Sequence, residues 1–212
     1  MNKNIKCLIS AGPTREWIDP VRFISNPSSG KMGYALAEEA FNRGFSVDLV
    51  SGPVHLDGPQ GVRLHKVETA IEMEKTMSAL FQDAQIIIMT AAVCDHRPRE
   101  CWQEKRKKAE FPTQLEFVEN KDIVGALCKR RKTGQRIVGF AAETETPLQH
   151  ALEKLEAKGL DWIAMNDVSD KEIGFCSDIN DVTLLSRRGE SIPLGRKSKQ
   201  EIAKGILDHV WP

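Results

Sequence analysis

GPTREWIDPVRFISNPSSGKMG, residues 12–33, separates a short apolar run from an amphipathic segment. The run before it, Ile5-Lys6-Cys7-Leu8-Ile9, reads as a buried strand. After it, Met32 to Arg43 carries apolar residues at Met32, Ala35, Leu36, Ala40 and Phe41, the spacing of one helix face. A strand that feeds a Gly/Ser-rich turn and then a helix leaves backbone N–H groups facing outward, where an anion can sit. Arg15, Asp19, Arg22, Asn26, Ser28, Ser29 and Lys31 add a dense set of polar side chains to those donors. A GxxG spacing alone fits a tight connection as well as a phosphate site. Four donors (Arg22, Ser28, Ser29 and Lys31) around one helix start favour the phosphate. The stretch is neither a GxxxxGK[ST] loop nor a GxGxxG fingerprint.

Working outward, strand-like runs alternate with helical patterns. Ser46–Ser51 follows the first helix, which ends at Arg43-Gly44 with glycine as its C-cap signal. Val62–Val67 is a half-polar strand. Thr69 to Phe81 is helical, with Thr69 as N-cap and Glu72 at the capping-box position. Gln85–Ala92, the most apolar run, reads as a central parallel strand. Arg136–Ala142 and Asp161–Asn166 are two more strands, separated by a helix over Leu148–Lys158, and a helix over Ser198–Trp211 closes the chain. This alternation predicts an α/β fold: a Rossmann-like, doubly wound, mostly parallel sheet with ligands at the carboxyl ends of its strands. Two regions break the pattern. Residues 94–119 are charged and poorly periodic and read as a long lid loop. Asp181–Leu185 and Glu190–Leu194, flanking Ser186-Arg187-Arg188-Gly189, read as a β-hairpin.

The 212 residues suffice for a single well-cored domain, and 30 acidic and 30 basic residues leave no net charge. Bulk attraction to nucleic acid or to a membrane surface is therefore not expected. No apolar stretch approaches the roughly 20 residues of a membrane span, and MNKNIKCLIS lacks a signal-peptide core. Five scattered cysteines without a CxxC pair read as reduced thiols of a cytoplasmic protein, and five dispersed histidines offer no metal cluster.

Other constellations carry chemistry less directly. Thr90-Ala91-Ala92-Val93-Cys94-Asp95 ends the central strand in small residues that let a flat base or ribose approach, with Asp95 for a metal or a hydroxyl. The bland alternative is a strand end with a solvated carboxylate. Cys94 lacks a His–Asp partner pattern and reads as packing. Lys105-Arg106-Lys107-Lys108 is a solvated basic face, or a lid closing over polyphosphate. Phe140 reads equally as a base-stacking ring and as a core residue. Lys154 and Lys158 are neighbours at i,i+4, which hints at an anion and also suits a solvated face. Phe175-Cys176-Ser177-Asp178-Ile179-Asn180 is polar and turn-rich, with no chemistry readable from its spacing.

Residues 11–33 taken with SGPV at 51–54, TAAVCD at 90–95, KRKK at 105–108, NKDIV at 120–124, VGFAAET at 138–144 and NDV…GFCSDIN at 166–180 resemble phosphopantothenoylcysteine synthetase, from about residue 5 to residue 208. The resemblance implies a ligase of coenzyme A biosynthesis. A nucleoside triphosphate (CTP in most bacterial members) activates the carboxylate of 4′-phosphopantothenate. The amine of L-cysteine then attacks the acyl-nucleotidylate. It also implies that Asn26 holds the acyl-cytidylate and that Lys108 is needed to form it. Nucleotide contacts are expected from Gly12, Ser28, Ser29, Gly30, Ala92, Val93, Cys94, Asp95, Lys121, Asp122, Ile123, Val124, Phe140, Lys154 and Lys158. Arg22, Asn26 and Ala142 are expected at phosphopantothenate. Mg²⁺ or Mn²⁺ is expected to be held by the triphosphate, without dedicated protein ligands.

Family members dimerise, so a homodimer is expected, through the hairpin at about 178–195 and with the lysine lid (about 94–119) reaching the neighbouring site. Where the family often has KIKK and AAVAD, this chain has KRKK and Cys94, and neither change removes a catalytic side chain. The flavin-dependent decarboxylase that often precedes the synthetase is not among these residues, which reads as a stand-alone synthetase or an excised domain. Two rivals are weaker: an NAD(P)-dependent reductase would need the absent GxGxxG, and a non-catalytic nucleotide-binding module has no reason to keep Asn26 and Lys108.

Overall fold

The computed structural model describes residues 5–143, 147–167 and 177–212. From the amino end, β1 (Lys6–Ala11) leads through a hairpin of β2 (Arg15–Asp19) and β3 (Arg22–Ser25) into α1 (Lys31–Asn42). There follow β4 (Ser46–Ser51), β5 (Arg63–Lys66), α2 (Ala70–Leu80), β6 (Ile86–Met89), β7 (His96–Pro98), β8 (Phe117–Glu119) and α3 (Ile123–Lys129). The last third holds β9 (Arg136–Glu143), α4 (Pro147–Lys158), β10 (Trp162–Asp167), β11 (Ile179–Ser186), β12 (Ser191–Ser198) and α5 (Lys199–Val210).

Eight strands form one sheet in the order β12-β11-β10-β9-β6-β1-β4-β5. The six from β10 to β5 are parallel, and β11 and β12 extend the sheet antiparallel. Numbered in chain order, the parallel strands stand 3-2-1-4-5-6 across the sheet, so the winding reverses between β1 and β6. Strand alternation divides the core. Cys7, Ile9 and Ala11 pack with α1 and α5 on one face, while Leu8 packs with α2, α3 and α4 on the other. Ile86, Ile87 and Ile88 are fully buried because β6 is covered on both faces. Each such side chain contributes about 1.5–3 kcal/mol.

Local signals behave as their chemistry requires. Thr69 and Glu72 close a complete capping box. Gly44 takes φ 81, and the N–H groups of Gly44 and Phe45 donate to the carbonyls of Phe41 and Ala40, a Schellman ending. The hairpin expected around Ser186–Gly189 is β11–β12.

Three local elements lie where the sequence pattern predicts none. Within residues 12–33, Arg15–Ser25 folds into β2–β3, its bend held by Val21 N–H donating to Asp19 Oδ1 at 2.9 Å. The long loop over residues 94–119 carries order of its own. β7 and β8 ladder at the base, and Trp102 N–H donates to the Ile18 carbonyl at 3.0 Å, pinning the middle to the β2–β3 hairpin. Residues 123–129 form a helix that had no visible period, being only two turns long. Cys176, Phe175 and Thr144 lie outside the described residues.

Candidate active site

The reversal between β1 and β6 opens at the carboxyl edge of the sheet. Beyond β1, Pro13 bridges Ala92 beyond β6, and Ala92 N–H donates to the Gly12 carbonyl at 2.9 Å. Asn26 closes this crossing: its Nδ2 donates to the carbonyls of Ala92 (3.1 Å) and Val93 (3.2 Å). α1 starts beside it. Its N-cap, Gly30, is left-handed at φ 77, no side chain caps the helix, and no acid stands in its first turn. By contrast α2, α3 and α5 are each capped by a side chain. The uncapped N–H groups and dipole of α1 make this edge receptive to an anion.

Two clefts flank this point. One, of ≈ 350 Å³, is lined by Asn26–Gly33, Thr90–Val93, Asp95, Phe140–Ala142, Lys154, Asn166, Asn180 and Lys199. The other, of ≈ 480 Å³, is lined among others by Val93–His96, Asn120–Val124, Phe140, Lys154 and Lys158. Ala91, Val93, Asp95, Phe140 and Lys154 belong to both, so the two form a continuous trough. It gathers Asn26, Ser28, Ser29, Gly30, Ala92, Val93, Cys94, Asp95, Lys121, Asp122, Ile123, Val124, Phe140, Ala142, Lys154 and Lys158.

Three expected residues fall outside it. Gly12 (φ 73) packs behind the trough: a Cβ there would stand 2.9 Å from Val54 Cγ1, and one on Gly30 would stand 2.8 Å from the same atom. The two glycines let the end of β1 and the start of α1 approach closely. Arg22 turns the other way, donating to Asp19 Oδ2 at 3.0 Å and to the Arg106 carbonyl at 3.2 Å, with its guanidinium 4.3 Å from the Phe111 ring centre. Lys108 stands exposed in a 3₁₀ turn, Lys108–Glu110, of the arm formed by residues 94–119.

The lysines of the trough are held by neighbours. Lys121 pairs with Glu74 at 2.5 Å, Lys158 with Asp122 at 2.9 Å, and Lys31 with Asp178 at 2.5 Å. The hydrogen bonds from Lys121 and Lys31 hold the carboxyls of Glu74 and Asp178 below their ordinary range. Asp122 also caps α3 through the Gly125 N–H. These ion pairs hold the three cations in place around the trough. Burial pushes the Cys94 thiol up, away from the nucleophilic thiolate. Asn166, Asn180 and Lys199 were missed. Asn166 and Asn180 are the ends of the NDV…GFCSDIN stretch, whose spacing carries no readable chemistry, and the pairing of β10 with β11 brings them together, while Lys199 comes from the start of α5.

Residues 2–212 match the family model described as DNA/pantothenate metabolism flavoprotein, C-terminal domain. The chain belongs to this family. Among relatives of this flavoprotein C-terminal domain, the coenzyme A biosynthesis bifunctional protein CoaBC of Bacillus subtilis (strain 168) is 43% identical over 204 residues, covering 96% of this chain and 50% of the relative. That of Escherichia coli (strain K12) is 44% identical over 212 residues, covering 98% and 52%. The chain spans about half the length of the curated relatives it matches. The crystal structure of a CoaBC C-terminal domain matches with TM-score 0.83 and 38% identity, covering 98% of this chain and 94% of that one. A Cab2 mutant in complex with phosphopantothenate-cysteine shares the fold, with TM-score 0.74 and 17% identity over 97% of this chain and 87% of that one.

Proposed function

We propose that this chain joins 4′-phosphopantothenate to L-cysteine with CTP, through an acyl-cytidylate, releasing pyrophosphate and then CMP. The observation that carries the proposal is the uncapped start of α1 facing Asn26 and the small-residue end of β6 in one trough. Membership of the flavoprotein C-terminal domain family, and identity above 40% to coenzyme A biosynthesis proteins, supply the substrate class.

The cytosine and ribose occupy the larger cleft, against Phe140 and the Lys121–Val124 turn, with Lys154 and Lys158 along the phosphates. The α-phosphate comes to the open N–H groups of α1 with Ser28 and Ser29. The carboxylate of phosphopantothenate attacks there, the P–O bond to pyrophosphate breaks, and the adduct rests beside Asn26. Asn26 spends both amide hydrogens on Ala92 and Val93. It meets the acyl oxygen by releasing one of them, which ties adduct binding to the β6 edge. The chemistry needs positioning and charge neutralisation more than a covalent nucleophile, in keeping with a Cys94 thiol that burial keeps protonated.

Mg²⁺ or Mn²⁺ would supply further neutralisation. A divalent ion carried by the triphosphate would find Asp95, where the clefts meet, as the carboxylate placed to hold it on the protein side. Lys108 and Arg22 lie off the trough of their own chain, which supports action across a homodimer built on the β11–β12 hairpin. β12 is one of the two edge strands of the described sheet. No described helix is long and apolar enough to cross a membrane; similarity to coenzyme A biosynthesis proteins supports a cytoplasmic reaction.

The test is pyrophosphate release with each of the four nucleoside triphosphates, with and without 4′-phosphopantothenate, followed by mass spectrometry of the product after L-cysteine is added. CTP- and phosphopantothenate-dependent release is expected. Release that ignores phosphopantothenate would refute the ligase. Sedimentation of the protein tests the dimer.

A further inference from the structure

Two buried carboxamides in the smaller cleft have no role in the reading above. Asn166 ends β10 and is 7% exposed; Asn180 begins β11 and is 4% exposed. The Oδ1 atoms of both are buried with no hydrogen-bond partner among the described residues. A buried acceptor left without a hydrogen is costly, so two in one cleft call for a ligand. Asn180 gives its Nδ2 to a weak acceptor, Met32 Sδ, at 3.8 Å. Register brings the two together: Asn166 pairs with Val182, two residues from Asn180, which makes them diagonal neighbours on one face, about 7–8 Å apart or less. Met32 belongs to the first turn of α1, where the adduct is placed.

Two acceptors side by side suit a group with two hydrogens to give. A hydroxyl offers one. An ammonium offers three but brings a positive charge beside Lys199, whose side chain lines the same cleft and is buried. A neutral primary amine matches both conditions: two N–H bonds for two oxygens, and a lone pair left pointing out of the pair.

We propose that Asn166 Oδ1 and Asn180 Oδ1 receive the amine of the incoming amino acid and aim its lone pair at the acyl carbon. The nitrogen forms the C–N bond, the electrons of the acyl C–O bond leave with the nucleoside monophosphate, and the surplus nitrogen proton passes to a phosphate oxygen of that leaving group. This inference rests on the ligase reading.

The two half-reactions separate the claims. Asn180→Leu, which keeps the volume and removes the acceptor, is expected to raise the KM for L-cysteine by about tenfold or more. Pyrophosphate release from CTP and 4′-phosphopantothenate before cysteine is added should stay at the parent rate. Asn180→Asp keeps an acceptor but holds the amine as ammonium, so its rate of amide formation should rise at higher pH than the parent's. The other charged groups lining this cleft (Lys31, Asp95, Lys154 and Lys199) are the same in both proteins. Release that falls in step with amide formation would assign the pair to the nucleotide or its cation and overturn the proposal. So would an unchanged KM, or an unchanged pH profile for Asn180→Asp. A parent protein without phosphopantothenate-dependent release would remove the ligase reading first, and this inference with it.

Discussion

α1 and α5 pack side by side on the same face of the sheet, yet their amino ends are built differently. At α5, Ser198 Oγ accepts from Glu201 N–H at 3.3 Å and Glu201 Oε2 accepts from Ser198 N–H at 3.1 Å, so the helix satisfies its own end. At α1, a left-handed glycine stands at the cap and no side chain answers the first N–H groups. A capped end contributes stability wherever it stands. An open end leaves donors for something that is not part of the chain.

The largest expected effect comes from closing the open end. Gly30→Val forces a side chain into a backbone at φ 77 and against Val54. It should cut pyrophosphate release by more than about a hundredfold and lower stability by at least about 1–2 kcal/mol, read by kinetics and thermal melting. Lys108→Gln removes an exposed cation from the arm. It should reduce formation of the acyl-nucleotidylate by about a hundredfold with the melting temperature unmoved, and normal release would dismiss its catalytic role.

Asn26→Asp keeps the shape at the crossing but replaces an amide that donates to two carbonyls. Labelled acyl-nucleotidylate should still form and accumulate, with amide product reduced about tenfold. Ser198→Ala should cost about 1 kcal/mol, or about 2–4 °C for a chain of this size, and leave turnover intact.

The smallest effect is on acid stability. Hydrogen bonds from Ser198 hold the Glu201 carboxyl below its ordinary value. Its contribution is therefore complete above the unfolded value of about 4.3 and fades as pH falls through the lowered folded value. Glu201→Gln, which still completes the cap, should make the melting temperature less sensitive to pH below about 4. The first turn of α1 holds no acid of its own, and the carboxyl that titrates beside it is Asp178, held low by the hydrogen bond from Lys31.

The arm teaches a related lesson. Its sequence reads as a loop because its order comes from elsewhere. Trp102 stacks edge-on against Phe111 at 5.8 Å, and Arg22 from the β2–β3 hairpin lies over Phe111. Neither contact has a local period. The β2–β3 hairpin was hidden in the same way, inside a stretch whose glycines and serines drew attention to its far end. α3 was too short to repeat a pattern, and its start at Asp122 was visible only as part of a motif.

What the amino-acid order determined by itself was everything local. Continuous apolar runs marked the buried strands, Thr69 with Glu72 and Gly44 marked helix ends, and Gly30 with Ser28 and Ser29 marked the anion-receptive start of α1. These depend on neighbours within a few positions. The tertiary structure alone decided which residues meet: Asn26 on the carbonyls of Ala92 and Val93, Gly12 against Gly30, Arg22 turned to the arm, and Asn166 beside Asn180. Those meetings follow from strand register and winding order, which cooperative packing of the whole core selects and no short window of residues contains.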